Sequence, residues 1–244
     1  MKAYIGTSGY NYSSWNERFY PQKMNTKQMF QYYSEKFSTV EINYTFYHTP
    51  RETTLHNWFK VAPPDFKYTL KVPRKITHVR RLKDCEELIK EFNSLALILK
   101  EKCGVILFQM PPSFKFNKEN FKRVEQSFKK LNKKLIYAIE FRHNSWFDSA
   151  EIKTLCRRHR VSFCAVSAPG IKFEPVETSD HFYLRLHGRD KWYDHDYSKK
   201  ELREYAGILD QFIKKGKTVW VYFNNDVQAR APKNALLLKE LMKA

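Results

Sequence analysis

Short apolar runs alternate with longer amphipathic runs along the whole chain. Eight of the short runs have the length and residue types of buried strands. They cover residues 2–6, 39–43, 66–72, 105–109, 135–141, 161–166, 181–186 and 218–223. Between them, apolar residues at helical spacing predict helices over 26–37, 52–61, 84–102, 118–130, 148–158, 199–215 and 232–242. The connection 167–180 is interrupted by Pro and Gly, so we expect little helix in it.

This alternation predicts an α/β fold in which strands are followed by helices. Eight strands with seven clear crossovers are typical of a TIM-type (β/α)8 barrel, here with a weak or missing sixth helix. An open, doubly wound sheet has the same alternation and is the alternative. The sequence contains no long linker, low-complexity tract or repeat, so we expect residues 1–244 to form a single domain.

Polar residues repeatedly fall on one face of the strands near their C-terminal ends, because successive strand side chains alternate between faces. These positions are Glu41, Asn43, Thr69, Lys71, Gln109, Glu140, Arg142, Arg185, His187, Asn224 and Asp226. In a barrel they would converge at the carboxyl mouth, where such folds place active sites. The alternative is that they only neutralise one another. Glu140 would then pair with Arg142 or Arg185, and Glu41 would pair with Lys71.

Eight short motifs are spaced along the chain: GTSGY at 6–10, FYP at 19–21, VEINYTFY at 40–47, KVPRKITH at 71–78, FQMPPSF at 108–114, EFRH at 140–143, LRLHG at 184–188 and YFNND at 222–226. Together, and in this order, they resemble the DUF72 family, also called YecE-like. The resemblance covers nearly the whole chain and implies a TIM-type barrel. Since that family is named for having no assigned function, the resemblance implies a fold and a polar cluster but no reaction.

The chain is strongly basic, with 44 Lys and Arg against 26 Asp and Glu and a formal net charge of +18. Such an excess predicts attraction to anions such as nucleic acid or phosphorylated metabolites, although a generally basic surface explains it equally well. Cys85, Cys103, Cys156 and Cys164 lack CxxC spacing and are expected to be reduced thiols. We expect neither a signal peptide nor a membrane-spanning segment, and therefore a cytoplasmic protein.

Four residues of the polar set are candidates for catalysis. Glu41 and Glu140 are potential bases, while His187 titrates near neutrality and Lys71 supplies a cation. Arg142 and Arg185 could hold a phosphate or carboxylate with two parallel hydrogen bonds. The remaining candidates for substrate binding are Thr7, Ser8, Asn43, Gln109, Asn224, Asn225, Asp226 and Trp192. Trp192 lies in the polar loop 188–195, which we expect to act as a mobile lid.

The candidates favour a hydrolase-like acid–base enzyme acting on an anionic, phosphate-bearing or nucleic-acid-like substrate. A non-catalytic nucleic-acid-binding protein is the alternative, so the sequence leaves open whether the chain is an enzyme. A glycoside hydrolase using Glu41 and Glu140 is the third hypothesis, although the neighbouring cations favour two ionised carboxylates where one must act as an acid. No cofactor is expected. A divalent metal on Glu41, Glu140, His187 and Asp226 is disfavoured by the same cations.

Overall fold

A computed structural model of the chain describes residues 3–243. Its strands are β1 Ala3–Thr7, β2 Thr39–Ile42, β3 Lys67–Lys71, β4 Cys103–Gln109, β5 Ile136–Glu140, β6 Val161–Phe163, β7 Ala165–Ser167, β8 His181–Leu186 and β9 Thr218–Phe223. Its α-helices are α1 Thr26–Lys36, α2 Tyr44–Tyr47, α3 Glu52–Val61, α4 Glu86–Leu97, α5 Lys118–Phe128, α6 Ala150–His159, α7 Lys199–Lys214 and α8 Arg230–Leu241. Lys2, predicted to begin the first strand, lies outside the described residues. The α/β class is confirmed.

Local chemistry fixes where the best-defined helices begin. Asn25 accepts a hydrogen bond from the backbone of Gln28, whose side chain in turn accepts one from the Asn25 backbone, so α1 starts with a capping box. Ser198 and Glu201 form the same reciprocal pair at the start of α7. Each pair satisfies two backbone N–H groups that no helical carbonyl can reach.

The chain divides into two compact units, which we describe separately. Within the described residues, unit 1 comprises 3–41, 165–175 and 180–243, and unit 2 comprises 42–164 and 176–179. Unit 1 contains a four-stranded sheet in the order β1-β9-β8-β7. Unit 2 contains strands β3 to β6, which belong to a five-stranded sheet in the order β2-β3-β4-β5-β6. All strand pairs with a described register are parallel, as the alternation of strands and helices predicts.

The prediction of one continuous strand over 161–166 was wrong. Cys164 interrupts the run, because β6 pairs with β5 whereas β7 pairs with β8. The Cys164 N–H still donates to the carbonyl of Ile139, 2.9 Å away, so hydrogen bonding to β5 of the five-stranded sheet continues up to the break. The run stays apolar across the break, and nothing in its pattern marks the change of partner. Closure of the strands into one barrel, and the single domain, stay predictions.

Each unit packs aromatic side chains against its strands. In unit 1, Phe182 of β8 stacks on Phe212 of α7 with ring centroids 3.8 Å apart. In unit 2, Phe141 stacks on the fully buried Trp146 at 4.1 Å, and the Trp146 indole donates to the Phe114 carbonyl at 2.6 Å. Such rings bury large apolar areas and stabilise the loops that follow the strands. Among the described residues, the connection 168–180 contains no helix, as expected.

Candidate functional site

Glu41, near the end of β2, lies at the centre of a buried cluster in unit 1. Its Oε1 accepts hydrogen bonds from Arg185 Nη2 at 2.5 Å and from the Ser8 hydroxyl. Its Oε2 accepts one from the Tyr183 hydroxyl at 2.6 Å. The side chains of Glu41 and Arg185 are 0 % and 1 % exposed. We call these four residues the Glu41 cluster, and each carboxylate oxygen in it is engaged by a donor.

The surroundings keep the Glu41 cluster in one state. Burial, and then the nearby Glu41 carboxylate, raise the pKa of Tyr183 well above its usual value, so its hydroxyl stays protonated and continues to donate. Ser8 and Glu41 also form a parallel backbone bridge. Thr7, predicted to bind substrate, has its N–H hydrogen-bonded to the Tyr33 hydroxyl at 2.9 Å, and its role in binding stays a prediction. A buried carboxylate that accepts from three protein donors is suited to holding structure together.

His187 forms a second group in unit 1, at the residue after β8. Its ring is fully buried, and its Nδ1 lies 3.0 Å from Asn224 Nδ2. The Trp192 ring lies against it at 5.4 Å between centroids, followed by Tyr193 at 5.8 Å. Three predicted site residues therefore meet here. The loop 188–195 is fastened by Arg230, whose guanidinium donates to the Asp194 carbonyl at 2.7 Å. Its movement as a lid stays a prediction.

Two further predicted binding residues serve the packing of unit 1. Asn225 donates to Asn234 Oδ1 and to the His195 carbonyl, both at 2.7 Å. The Asp226 carbonyl accepts from the Trp15 indole at 3.0 Å, and burial raises the pKa of the Asp226 carboxyl. These three contacts join the residues after β9 to α8, to the loop 188–195 and to Trp15. The polar pattern of the sequence does not distinguish such contacts from ligand binding.

Unit 2 brings polar residues together at the ends of three adjacent parallel strands. Lys71, Gln109 and Glu140 are the last residues of β3, β4 and β5. Gln109 is the register partner of Glu140, and Lys71 is the partner of Leu107, two residues before Gln109 on the same strand. Since register partners and residues two apart share a face, all three side chains leave the same face of the sheet. The Gln109 amide donates to the Met110 carbonyl at 2.8 Å.

The carboxylate of this group is paired with a cation that reaches solvent. Glu140 is fully buried, and its Oε1 accepts from Arg142 Nε at 2.6 Å. Arg142 is 13 % exposed. The Lys71 ammonium lies 4.0 Å from the centroid of the Phe46 ring, within the range of a cation–π contact. The Thr45 hydroxyl donates to the Lys71 carbonyl at 2.7 Å and so joins α2 to the end of β3. Asn43, just before α2, is half-buried.

His78 completes this group, although the sequence did not indicate it. It lies in the π-helical turn Lys75–Val79 that follows β3, a geometry often found at functional sites. Its ring meets the Phe46 ring edge-on at 4.9 Å, and its Nδ1 lies 2.9 Å from the Thr77 hydroxyl. The alternation of side chains between strand faces, which selected the other candidates, ends with the strand and therefore could not find a residue in the following turn. Its one signal was the KVPRKITH motif, which ends at His78.

The charges around His78 define its state. Burial lowers the pKa of His78 to about 4, and the positive charges of Lys71, Arg142 and Arg74 contribute to the lowering, against the opposing effect of Glu140. The imidazole is therefore neutral at pH 7. Three cations against one carboxylate make this region electropositive. We call Lys71, Arg74, His78, Glu140 and Arg142 the cationic site.

The structure thus distributes the predicted residues over two units. The Glu140–Arg142 pair expected from the sequence is confirmed, whereas Glu41 pairs with Arg185, a partner considered for Glu140. Within residues 3–243, no group of three or more His, Cys, Asp and Glu side chains could hold a metal ion. Cys85, Cys103, Cys156 and Cys164 are not joined by disulfide bonds. No helix in the described part of the chain combines the length and apolar character needed to cross a bilayer.

Comparisons with known proteins place this arrangement among relatives. The family described as "Protein of unknown function DUF72" matches residues 4–244. The UPF0759 protein YunF of Bacillus subtilis (strain 168) is 27 % identical over 273 residues, covering 98 % of this chain and 94 % of that protein. The UPF0759 protein YecE of Escherichia coli (strain K12) is 27 % identical over 119 residues, or 49 % of this chain and 43 % of that protein.

Solved structures agree with this match. The crystal structure of a DUF72 family protein from Thermotoga maritima MSB8 has a TM-score of 0.90 and 31 % identity, with 100 % of both chains covered. A DUF72 family protein from Enterococcus faecalis V583 has a TM-score of 0.87 and 22 % identity, covering 99 % of this chain and 96 % of that one. The second likeness concerns the fold alone.

Proposed function

This chain belongs to the DUF72 family of proteins of unknown function, and we propose that it is an acid–base enzyme that acts on a small anionic substrate at the cationic site. The proposal rests on one observation. Lys71 and Glu140 leave the same face of the sheet, Arg142 bonds Glu140, and the His78 ring meets the same Phe46 ring that the Lys71 ammonium covers. An excess of cations beside a base is the arrangement that binds an anion and moves a proton on it.

The two halves of this arrangement have separate roles. Arg142 and Lys71 supply the positive charge, and the guanidinium, which is partly exposed, can add hydrogen bonds to a phosphate or carboxylate. Glu140 is the carboxylate beside them and the candidate base. Its position at the end of a buried strand holds it rigidly, which favours precise positioning of a proton acceptor. Hydrolysis of a phosphate-bearing compound is the reaction class that we favour.

The decisive experiment separates binding from turnover. Binding of sulfate and inorganic phosphate is measured by calorimetry, together with an unbiased screen of metabolites for turnover. We expect Glu140→Gln to keep anion binding and to lose turnover by about 10²–10⁴-fold, the usual contribution of a general base. Lys71→Met should weaken sulfate binding, whereas Lys75→Met should not, because Lys75 lies exposed in the adjacent turn. Loss of binding in both lysine variants alike would contradict a defined site.

A second candidate function is favoured by the net charge of +18. A non-catalytic nucleic-acid-binding protein would use the basic surface to contact phosphates, and its affinity would fall steeply with salt. The two hypotheses differ at Glu140. Glu140→Gln would leave a binder intact or strengthen it, because a negative charge near the phosphates is removed. Oligonucleotide binding that survives in this variant, with no turnover found for any metabolite, would favour the second candidate.

The glycoside hydrolase hypothesis has less support. It requires Glu41 or Glu140 to act as an acid opposite the other. Both oxygens of Glu41 accept hydrogen bonds, from Arg185, Ser8 and Tyr183, so the carboxylate is engaged by protein donors on both sides. Chromogenic glycosides test it directly, and we expect no release of the chromophore.

A further inference from the structure

His78, which the sequence pattern did not indicate, adds a second group that can transfer a proton at the cationic site. His78 has two ring nitrogens with different surroundings. Its Nδ1 faces the Thr77 hydroxyl, which also lies 3.5 Å from the Pro73 carbonyl. If Thr77 donates to that carbonyl, it accepts from His78 Nδ1–H, and the lone pair of the neutral ring is on Nε2. The turn therefore orients the imidazole as a proton acceptor.

Phe46 connects this imidazole to the anion-binding cation. The Lys71 ammonium lies over the ring at 4.0 Å, and the His78 imidazole meets it edge-on at 4.9 Å. Phe46 is itself buried. Because both groups contact one buried ring, the ammonium and the imidazole lie in the same small region. An anion bound by Lys71 must therefore change the field that His78 experiences.

From this geometry we propose that His78 takes up a proton when an anion binds to Lys71 and Arg142, and that it is the proton donor of the site. This inference rests on the proposed function. The arriving negative charge offsets Lys71, Arg74 and Arg142, which oppose protonation, while Glu140 already favours it. These residues belong to β3, the turn after it, and the end of β5; Lys75 shares the turn, and α2 presents the uncharged Phe46. Glu140 can then take a proton from the water whose oxygen forms a new bond to the phosphorus of a bound phosphate ester. As the P–O bond to the alcohol breaks, protonated His78 gives its proton to the leaving alcohol oxygen.

The sign of the pH dependence follows from linkage. The free site has a His78 pKa of about 4, and the bound site has a higher one. Anion affinity therefore rises as the pH falls, beginning where the bound form takes up its proton and levelling off below about 4. A site with no linked proton shows constant affinity over the same range. Sulfate is the suitable probe, because unlike phosphate it does not itself titrate between pH 5 and 8.

The experiment measures sulfate binding by calorimetry at pH 5, 6, 7 and 8, each in two buffers that differ in ionisation enthalpy. The difference between buffers gives the number of protons taken up per sulfate. We expect a fraction of a proton, at most about one, and several-fold tighter binding at pH 5 than at pH 8. His78→Asn keeps an amide near the position of Nδ1 and should bind sulfate with no proton uptake. His48→Asn, which changes an exposed histidine in the same unit, is the matched control and should behave like the unaltered protein.

The outcomes separate this inference from the function on which it rests. Sulfate binding with the expected uptake in the unaltered protein and in His48→Asn, and none in His78→Asn, supports it. Binding without proton uptake overturns the role of His78 and leaves the anion site intact. Failure of sulfate to bind at all overturns both. Uptake that persists in His78→Asn assigns the proton to another group and also overturns the proposal.

Discussion

The Glu41 cluster and the cationic site contain the same central pair, a fully buried glutamate bonded to an arginine, yet their surroundings differ. Around Glu41 the partner Arg185 is 1 % exposed, and hydroxyls of Ser8 and Tyr183 occupy the remaining positions. Around Glu140 the partner Arg142 is 13 % exposed and two further cations act nearby. The two pairs have the same chemical identity and differ in the solvent access of the cation. The function proposed above for the cationic site depends on that difference.

The largest expected effect is on stability, in the Glu41 cluster. Glu41→Gln leaves the buried Arg185 without its carboxylate, and breaking such a pair typically costs about 3–5 kcal/mol. We expect the free energy of unfolding to fall by that amount in urea titrations. The control is the same change at an exposed carboxylate, Glu87→Gln, which should alter stability by less than about 0.5 kcal/mol.

The second effect tests the other half of the comparison. Glu140→Gln removes the same kind of charge, but Arg142 can turn toward water, so we expect a loss of only about 1–2 kcal/mol. The same urea titration measures it. If Glu140→Gln destabilises the protein as much as Glu41→Gln does, both pairs are structural and the distinction between the two regions fails.

The third effect depends on pH. His78 in the folded protein has a pKa of about 4, below its ordinary value of 6.5. As the pH falls, His78 is protonated in the unfolded chain before it is protonated in the folded protein. The stability that His78 contributes is therefore fully present above pH 6.5 and is lost as the pH falls toward 4. Because His78 is half-buried, we discount the effect for solvent screening to about 1 kcal/mol. His78→Asn lacks this contribution, so its unfolding free energy should fall less between pH 7 and pH 4. Parallel curves for the two proteins would contradict it.

The smallest effect sharpens the functional side of the comparison. Lys71→Met keeps an unbranched chain over the Phe46 ring while it removes the ammonium, so stability should change by no more than about 1 kcal/mol. Sulfate affinity, in contrast, should fall markedly. A variant that stays folded and loses anion binding separates function from stability at this residue, which no single substitution in the Glu41 cluster is expected to do.

Much of the fold follows from the sequence, because strands and helices of this chain obey simple periodicities. The predicted strands 181–186 and 218–223 coincide with β8 and β9, and the predicted helix 52–61 coincides with α3. The break at Cys164 was not predictable, since a strand that changes sheets keeps its apolar side chains while its backbone changes partners. Sheet pairing is a long-range property that local pattern does not encode.

The candidate site was predictable in its residues and less so in its pairings. The alternation of side chains along the strands found Lys71 and Glu140, which lie on one face of the sheet. It found Arg142 by continuing two residues beyond the end of β5. It could not show that Arg185 bonds Glu41, since both residues lie on the same parity as several other charges. It also missed His78, whose position depends on a π-helical turn that packing against Phe46 stabilises.

The pairing of β1 with β9 has a consequence for biosynthesis. Residues 3–7 are synthesised long before their hydrogen-bonding partners, Val219 to Phe223. At about 5–20 residues per second, the nascent β1 waits roughly 10–40 s for its partner. The long continuous segment 42–164 of unit 2 emerges during that interval. During that interval the edge of β1 that later pairs with β9 has no strand partner and can pair with another chain.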